Sequence, residues 1–186
     1  MTEVPAPLSF LPTVLEGRRE LDGAVDALRA LVDDALPPGD GRNALQGEWL
    51  GHPVHPVLTD LAIGFWTSAF VLDLVPVKRL RAAADAFVAL GLVAALPTVA
   101  TGLADWTLLP RERQRVGVVH AGSNVVASGF YAWSLVARIR GRRTRGIALG
   151  MLGAGAATVG GYLGGHLAFP PSEAVAARSD GGQTGA

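Results

Sequence analysis

The chain has 186 residues, no cysteine and a formal net charge of zero, and 49% of its residues are hydrophobic. This length suits one domain with a short extension, and the balanced charge gives no basic excess for binding nucleic acid. The lack of cysteine excludes disulfides, iron–sulfur ligation, thiolate zinc sites, covalent haem attachment and cysteine nucleophiles. Any metal or haem held by this chain must therefore have histidine or oxygen ligands.

The first 44 residues form a polar extension in front of the apolar part of the chain. Residues 1–14 are rich in proline and are predicted to be disordered or loosely attached. From Leu15 to Leu36 apolar residues recur every three or four positions, which predicts an amphipathic helix. We expect this helix to pack on its own domain; docking on a membrane surface or a partner is the alternative. The N-terminus does not resemble a secretory signal, because its short apolar run is broken by prolines.

Residues 45–170 are predicted to form four transmembrane helices, followed by a disordered tail at 171–186. Each helix approaches the 20 or so residues that cross ~30 Å of hydrocarbon, and charged residues lie near its ends. The predicted spans are 57–75, 82–106, 116–137 and 146–169. A soluble bundle is the alternative, but soluble helices of this length expose a polar face, which these segments lack. The short connections predict an all-α, integral membrane four-helix bundle with up-down-up-down topology, preceded by the amphipathic helix.

The loop charges predict a multi-pass protein of the cell membrane with both termini outside the cytoplasm. Eight positive charges flank the first-to-second and third-to-fourth connections: Lys78, Arg79, Arg81, Arg138, Arg140, Arg142, Arg143 and Arg145. Because loops rich in lysine and arginine stay on the cytoplasmic side, these two connections are expected there. Arg111, Arg113 and Arg115, on the opposite side, weaken this bias slightly.

The histidines and one aspartate are expected at the outer ends of the four spans. His52 and His55 precede the first span, Asp105 ends the second, and His120 and His166 lie roughly 5–6 Å inside the third and fourth. Three histidines at one depth with a carboxylate favour a ligand site. His55, His120 and His166 could bind a transition metal as a tripod, with Asp105 as a ligand or an orienting residue. Alternatively, two of the histidines could be the axial ligands of haem b.

Polar residues at helical spacing predict one thin inward-facing stripe on each span. Asn124 shares a helix face with His120, and Tyr162 shares one with His166. Asn124 and Tyr162 are therefore predicted to orient a bound cofactor or to handle protons. The alternative is that the histidines cap helix ends and bond backbone carbonyls. The four tryptophans lie near the ends of segments and are predicted to be interfacial belt residues.

The sequence contains no phosphate loop, HExxH helix, GxSxG elbow or Rossmann fingerprint, so no motif identifies an enzyme. The polar layer favours a redox-linked or cofactor-binding membrane component. A second hypothesis is a small transport or proton-relay protein that works through Asp60, Thr101 and Ser128. A third is a structural or assembly subunit, with Leu21, Val25 and Leu28 of the amphipathic helix on its partner surface.

Four ordered motifs resemble domain-of-unknown-function family 2231, a group of uncharacterised membrane proteins. The motifs are WLGHPVHPVLTDLAIGFW, ATGLADW, RERQRVGVVHAGSN and GGYLGGHL, and the resemblance covers roughly residues 45–170. It implies four membrane spans. Some members are fused to, or accompany, Rieske-type iron–sulfur domains, which implies electron transfer. Because this chain has no cysteine for such a domain, a Rieske-type or other redox partner is expected to be a separate chain.

Overall fold

The computed structural model describes residues 10–75 and 77–169, and this part of the chain is all-α. Three short helices come first: α1, Phe10–Gly17; α2, Asp22–Ala35; and α3, Asp40–Gln46. Four long helices follow: α4, His55–Leu74; α5, Arg81–Trp106; α6, Arg111–Ile139; and α7, Arg143–Ala168. The predicted tail at 171–186 lies outside the described residues.

The four long helices pack as two antiparallel pairs. α4 lies along α5 and α6 along α7, and the pairs meet where α5 contacts α6 and where α4 contacts α7. Glycines let the helices approach closely, as in many membrane bundles. A Cβ at Gly91 of α5 would lie 2.3 Å from Nε1 of Trp66, so a larger residue would displace the indole. The indole stacks on the ring of Tyr131 with centroids 4.1 Å apart, and this stack joins the two pairs.

Within residues 10–75 and 77–169, three helical segments are long and apolar enough to cross a membrane, judged by length and composition. They are His55–Leu74, Lys78–Trp106 and Arg143–Ala168, and they coincide with the first, second and fourth predicted spans. The third predicted span, 116–137, lies within α6, which does not meet the same criterion. Polar residues such as His120, Ser123 and Asn124 interrupt the apolar sequence of α6 and lower its mean hydropathy.

The predicted amphipathic helix is present, but it is divided in two. α1 ends at Gly17, a poor helix former, and a 3-10 turn at Arg19–Leu21 separates it from α2. Val25 and Val32 of α2 are buried against Trp106 at the end of α5. The helix therefore packs on its own domain, as expected, and Val25 is not available as a partner surface.

Two of the four tryptophans are core residues, so the prediction of an interfacial belt is wrong for them. Trp66 lies in the cluster between the helix pairs, and Trp106 lies beneath α2. The Trp106 Nε1 donates to the backbone carbonyl of Gln114 at 3.0 Å, which satisfies its buried N–H group. Trp49 and Trp133 are exposed. Position near a segment end did not distinguish these cases, because the adjacent short helices cover only some of the ends.

Candidate functional site

His55 is the first residue of α4, and its imidazole reaches across to α5. Nδ1 lies 2.9 Å from the carbonyl oxygen of Thr98. Because a carbonyl oxygen only accepts hydrogen bonds, this contact assigns the proton to Nδ1 and a lone pair to Nε2. Nε2 lies 3.4 Å from Oγ1 of Thr59, one turn further along α4. The ring rests on Gly102, where a Cβ would lie only 2.6 Å from its Cε1 atom.

His120 of α6 makes the corresponding contacts with α7. Its Nδ1 lies 2.8 Å from the carbonyl oxygen of Gly160, and its Nε2 accepts from the amide of Asn124 at 3.0 Å. The ring rests on Gly164, where a Cβ would lie 2.9 Å from Cε1. His120 therefore has the same tautomer as His55 and is held in one orientation by the backbone of the neighbouring helix.

His55 and His120 are the two predicted ligands whose rings are held in the same way, each by a backbone carbonyl of a neighbouring helix. Both side chains are partly buried, on different helix pairs. An imidazole whose Nδ1 is bonded to a carbonyl is oriented as metal-binding histidines are, with Nε2 as the ligand atom. The same bond also satisfies a histidine that serves only in packing, which was the alternative interpretation.

His166 and Asp105, the other predicted metal ligands, have different surroundings. Nε2 of His166 lies 2.9 Å from Oε1 of Glu16 on α1. Asp105 is partly buried near the end of α5, and within residues 10–75 and 77–169 its carboxylate has no hydrogen bond or ion pair. The same residues contain no group of three or more histidine or acidic side chains that could hold a metal ion. The predicted set is thus divided into an imidazole pair and a separate His166–Glu16 pair.

The remaining predicted site residues differ in how close they lie to the imidazoles. Asn124 contacts Nε2 of His120, and its Oδ1 lies over Gly160, where a Cβ would be 2.6 Å away. Tyr162 is 37% exposed on α7. His52 is exposed in the turn before α4. Of the predicted orienting residues, Asn124 touches an imidazole of the pair.

Arginines at the start of α6 fasten the N-terminal helices to the long helices. Arg115 Nε donates to Oδ1 of Asp22 at 2.8 Å, and Arg111 Nη1 donates to Oδ1 of Asp26 at 2.7 Å. The hydrogen bond from Arg115 lowers the pKa of the Asp22 carboxyl below its ordinary value. Arg113 donates to the carbonyl of His166 and so caps the end of α7. The RERQR sequence, expected in a loop, is thus the first turn of α6.

At the opposite end of the long helices lies an ion-pair cluster, made of Asp73, Asp85, Arg138 and Arg143. Each residue comes from a different long helix. Arg143 Nη2 donates to Asp73 at 2.6 Å, Arg138 Nη1 donates to Asp85 at 3.0 Å, and Arg138 also pairs with Asp73. The side chains of Arg138 and Asp73 are only 2% and 4% exposed.

Sequence reasoning missed the ion-pair cluster because it treated Arg138 and Arg143 as loop charges and the acids as separate span ends. The signal that could have found the cluster is opposite charge at one depth on neighbouring helices. Asp73 lies in the last turn of α4 and Arg138 in the last turn of α6, and these helices run in the same direction. Such a match identifies candidates for pairing, but only the packing of the helices selects the pairs that form.

Comparison with known families places the chain among membrane proteins. The sequence model of a family described as "Predicted membrane protein (DUF2231)" matches residues 51–175. No curated protein and no solved structure matches the chain. The matched region is more than half of the chain and contains the four long helices, the imidazole pair and the ion-pair cluster. This chain therefore belongs to the DUF2231 family of predicted membrane proteins.

Proposed function

We propose that the chain is a multi-pass membrane protein in which all four long helices cross the bilayer, and that it is a redox-linked component holding a cofactor. The cofactor, haem b or a transition metal, would bind at His55 and His120. The observation that carries this proposal is the matched geometry of the two imidazoles. Each Nδ1 is bonded to the backbone of a neighbouring helix, and each Nε2 has its lone pair on the side away from that bond.

The surface of α6 supports its role as the fourth span. Large apolar side chains lie on its outside, including Trp133 at 53% exposed and Ile139 at 77% exposed. Its buried side contains polar groups, among them Ser134, which is fully buried and donates to the carbonyl of Gly146. An apolar outside and a polar inside suit a helix surrounded by lipid. α6 also packs between α5 and α7, both of which contain apolar spans.

The arrangement of free charges supports an orientation with both termini outside the cytoplasm. Two of the eight positive charges, Arg138 and Arg143, are neutralised in the ion-pair cluster. The other six are exposed at that end of the helices: Lys78, Arg79, Arg81, Arg140, Arg142 and Arg145. At the other end, Arg111 and Arg115 are paired with acids of α2. The excess of free positive charge therefore lies at the ion-pair end, which we place in the cytoplasm.

Single-cysteine labelling tests this topology directly, because the chain has no native cysteine. We expect a membrane-impermeant maleimide to label Asp34→Cys in intact cells and to label Arg142→Cys only after permeabilisation. Both positions are exposed. Labelling of Arg142→Cys but not of Asp34→Cys in intact cells would show that the orientation is the reverse of the proposed one. Labelling of both in intact cells would contradict a membrane-spanning α6.

The chain's own residues would hold the cofactor through Nε2 of His55 and His120. A bound haem or metal would supply a centre that accepts and donates one electron. The backbone carbonyls of Thr98 and Gly160 fix the ring orientation, which limits the reorganisation needed on binding. Asn124 would release Nε2 of His120 when the ligand binds there.

The first test is an absorption spectrum of detergent-purified protein, oxidised and dithionite-reduced, with elemental analysis of the same sample. We expect His55→Asn and His120→Asn to lose the cofactor, because asparagine keeps a donor near the carbonyl but lacks Nε2. His52→Asn is the matched control, since His52 is exposed. If neither a chromophore nor a stoichiometric metal is present, and reconstitution adds none, the cofactor proposal is wrong.

A structural or assembly subunit without a cofactor is the second candidate, and one observation favours it. Both ring nitrogens of His120 already have hydrogen-bond partners, so the residue can serve in helix packing alone. This candidate predicts that neither haem nor a metal binds after reconstitution, and that His120→Asn lowers stability only slightly, because asparagine keeps a donor near the Gly160 carbonyl. The transport hypothesis has no comparable support: Asp60 is exposed, and the Thr101 hydroxyl donates to the carbonyl of Pro97.

A further inference from the structure

The two pairs of long helices repeat the same structural unit. Residues of α4 recur in α6 at a constant separation of 65 positions, the separation of Asp73 and Arg138. The matched positions are His55 and His120, Thr59 and Asn124, Gly64 and Gly129, Phe65 and Phe130, Trp66 and Tyr131, and Asp73 and Arg138. The sequence similarity is weak, with only the histidine, one glycine and one phenylalanine identical among these pairs.

The contacts made by these residues repeat more faithfully than the residues themselves. The histidine of each pair bonds a carbonyl of the next helix, Thr98 or Gly160, at 2.9 or 2.8 Å. Each histidine ring rests on the glycine that follows this carbonyl residue by four positions, Gly102 or Gly164.

The contacts of an aromatic and of a polar side chain are also repeated in the two units. Trp66 rests on Gly91 and Tyr131 rests on Gly153. Thr59 lies beside Nε2 of the first histidine, as Asn124 lies beside Nε2 of the second. The acceptor and glycine positions of α7 all follow those of α5 by one common interval. Agreement in four kinds of contact shows that the pairs share one register.

Equivalent residues of the two units also touch each other, which locates a pseudo-two-fold axis between them. Two copies related by a rotation bring equivalent positions together only near the axis. Trp66 stacks on Tyr131, and Asp73 pairs with Arg138. These contacts lie at two depths, so the axis runs along the helices, as in membrane proteins built from parallel repeats. His55 and His120 are equivalent positions on either side of the same axis.

We infer that the site binds a single haem b on this axis, which one imidazole from each repeat would hold through its Nε2 atom, the two imidazoles being equivalent ligands. This inference rests on the proposed function and chooses between its two cofactors. A bare zinc, copper or iron site needs three or four protein ligands, and the described residues bring no third histidine or carboxylate into such a group. Haem supplies four nitrogens of its own, so two imidazoles complete its coordination.

The equivalence of the two ligands makes the inference testable with ferric haem as the probe. We expect purified protein titrated with it to bind one haem per chain in a six-coordinate, low-spin form. His55→Asn and His120→Asn should each give a five-coordinate, high-spin spectrum, or no binding, and His166→Asn should leave the spectrum unchanged. His55→Met and His120→Met should both raise the reduction potential, because methionine in place of histidine does so in cytochromes.

A second variant does not depend on removing an imidazole. Asn124→Ala frees Nε2 of His120 from its amide partner, so we expect tighter binding of haem. Thr59→Ala should have a smaller effect, because its 3.4 Å contact is weaker than the 3.0 Å contact of Asn124. Unchanged affinity in Asn124→Ala would argue against iron at Nε2.

The possible failures are distinguishable. Haem binding that depends on only one of the two histidines would overturn the equivalent-ligand inference, as would a stoichiometric metal without haem, and both would leave the proposed function standing. Absence of any cofactor after titration with haem and with metals would overturn both.

Discussion

The histidine end and the ion-pair end of the long helices satisfy their buried polar groups in different ways. At the histidine end, neutral imidazoles bond backbone carbonyls and a side-chain amide. At the ion-pair end, full charges on four helices neutralise one another, and Arg138 is almost completely buried. Releasing a neutral hydrogen bond costs about 1 kcal/mol, whereas separating a buried ion pair costs several times more. The ion-pair end therefore contributes more to holding the helices together, and the hydrogen bonds at the histidine end are released at a lower cost.

The largest expected effect is at the ion-pair end. Asp73→Ala leaves the Arg138 guanidinium buried without its closest partner, so we expect a loss of about 3–5 kcal/mol in the free energy of unfolding. The measurement is chemical unfolding in detergent. Lys78→Ala, which removes an exposed charge at the same end, should change stability by less than about 0.5 kcal/mol. Equal effects of the two substitutions would contradict the comparison.

The second largest effect on stability is expected for substitution of a glycine at the histidine end. The Cβ of Gly164→Ala would lie 2.9 Å from the His120 ring and must displace it, so we expect a loss of about 1–3 kcal/mol. At Gly161, on the same helix, no atom lies within 4 Å of an added Cβ. Gly161→Ala should therefore be neutral, or stabilising by up to about 1 kcal/mol. A neutral Gly164→Ala would show that the ring is not held in place.

Substitution of the imidazole itself should cost less. In protein without cofactor, His120→Ala removes the hydrogen bond to the Gly160 carbonyl, and we expect a loss of about 1–2 kcal/mol. His120→Asn keeps a donor near that carbonyl and should lose less. Thermal unfolding of both variants checks this order. If His120→Asn lost as much stability as Asp73→Ala, the two ends would contribute equally to holding the helices together, which would contradict the comparison.

The smallest effect is expected where the N-terminal helices attach. The hydrogen bond from Arg115 lowers the pKa of Asp22. The ionised Asp22 carboxylate therefore stabilises the folded chain fully above the ordinary aspartate pKa near 3.8. This contribution is lost as the pH falls through the lower pKa that Asp22 has in the folded chain. We expect pepsin to cut faster near the Arg19–Leu21 turn as the pH falls from 4 to 2.

Asp22→Asn should remove most of this pH dependence and expose the turn to trypsin at neutral pH. Asp34→Asn, at an exposed position of the same helix, should behave like the original protein. A pH dependence unchanged in Asp22→Asn would assign the acid sensitivity to another contact.

Particular residues show which features of the protein could be predicted from its sequence. The motifs around His55 and His120 identified the family, and the family is confirmed. Of the four spans predicted from apolar length and end charges, three coincide with segments that meet the criteria for crossing a membrane. Helical periodicity also predicted that α2 packs on its own domain. The same reasoning placed His55, His120 and Asn124 near one level, but it also placed His166 in the group, whereas that ring pairs with Glu16. Whether any of them binds a cofactor stays a prediction.

The sequence by itself determined the helical class, the family and the approximate limits of the long helices, because hydropathy and periodicity are local properties of the chain. The tertiary structure decided which buried polar group meets which partner. Asp73 and Arg138, or His120 and the Gly160 carbonyl, lie far apart in sequence, and their contact depends on the register of packed helices. That register is set by glycines such as Gly91 and Gly164, whose missing side chains leave room for specific rings. Shape complementarity between helices, rather than composition, therefore decided the candidate site.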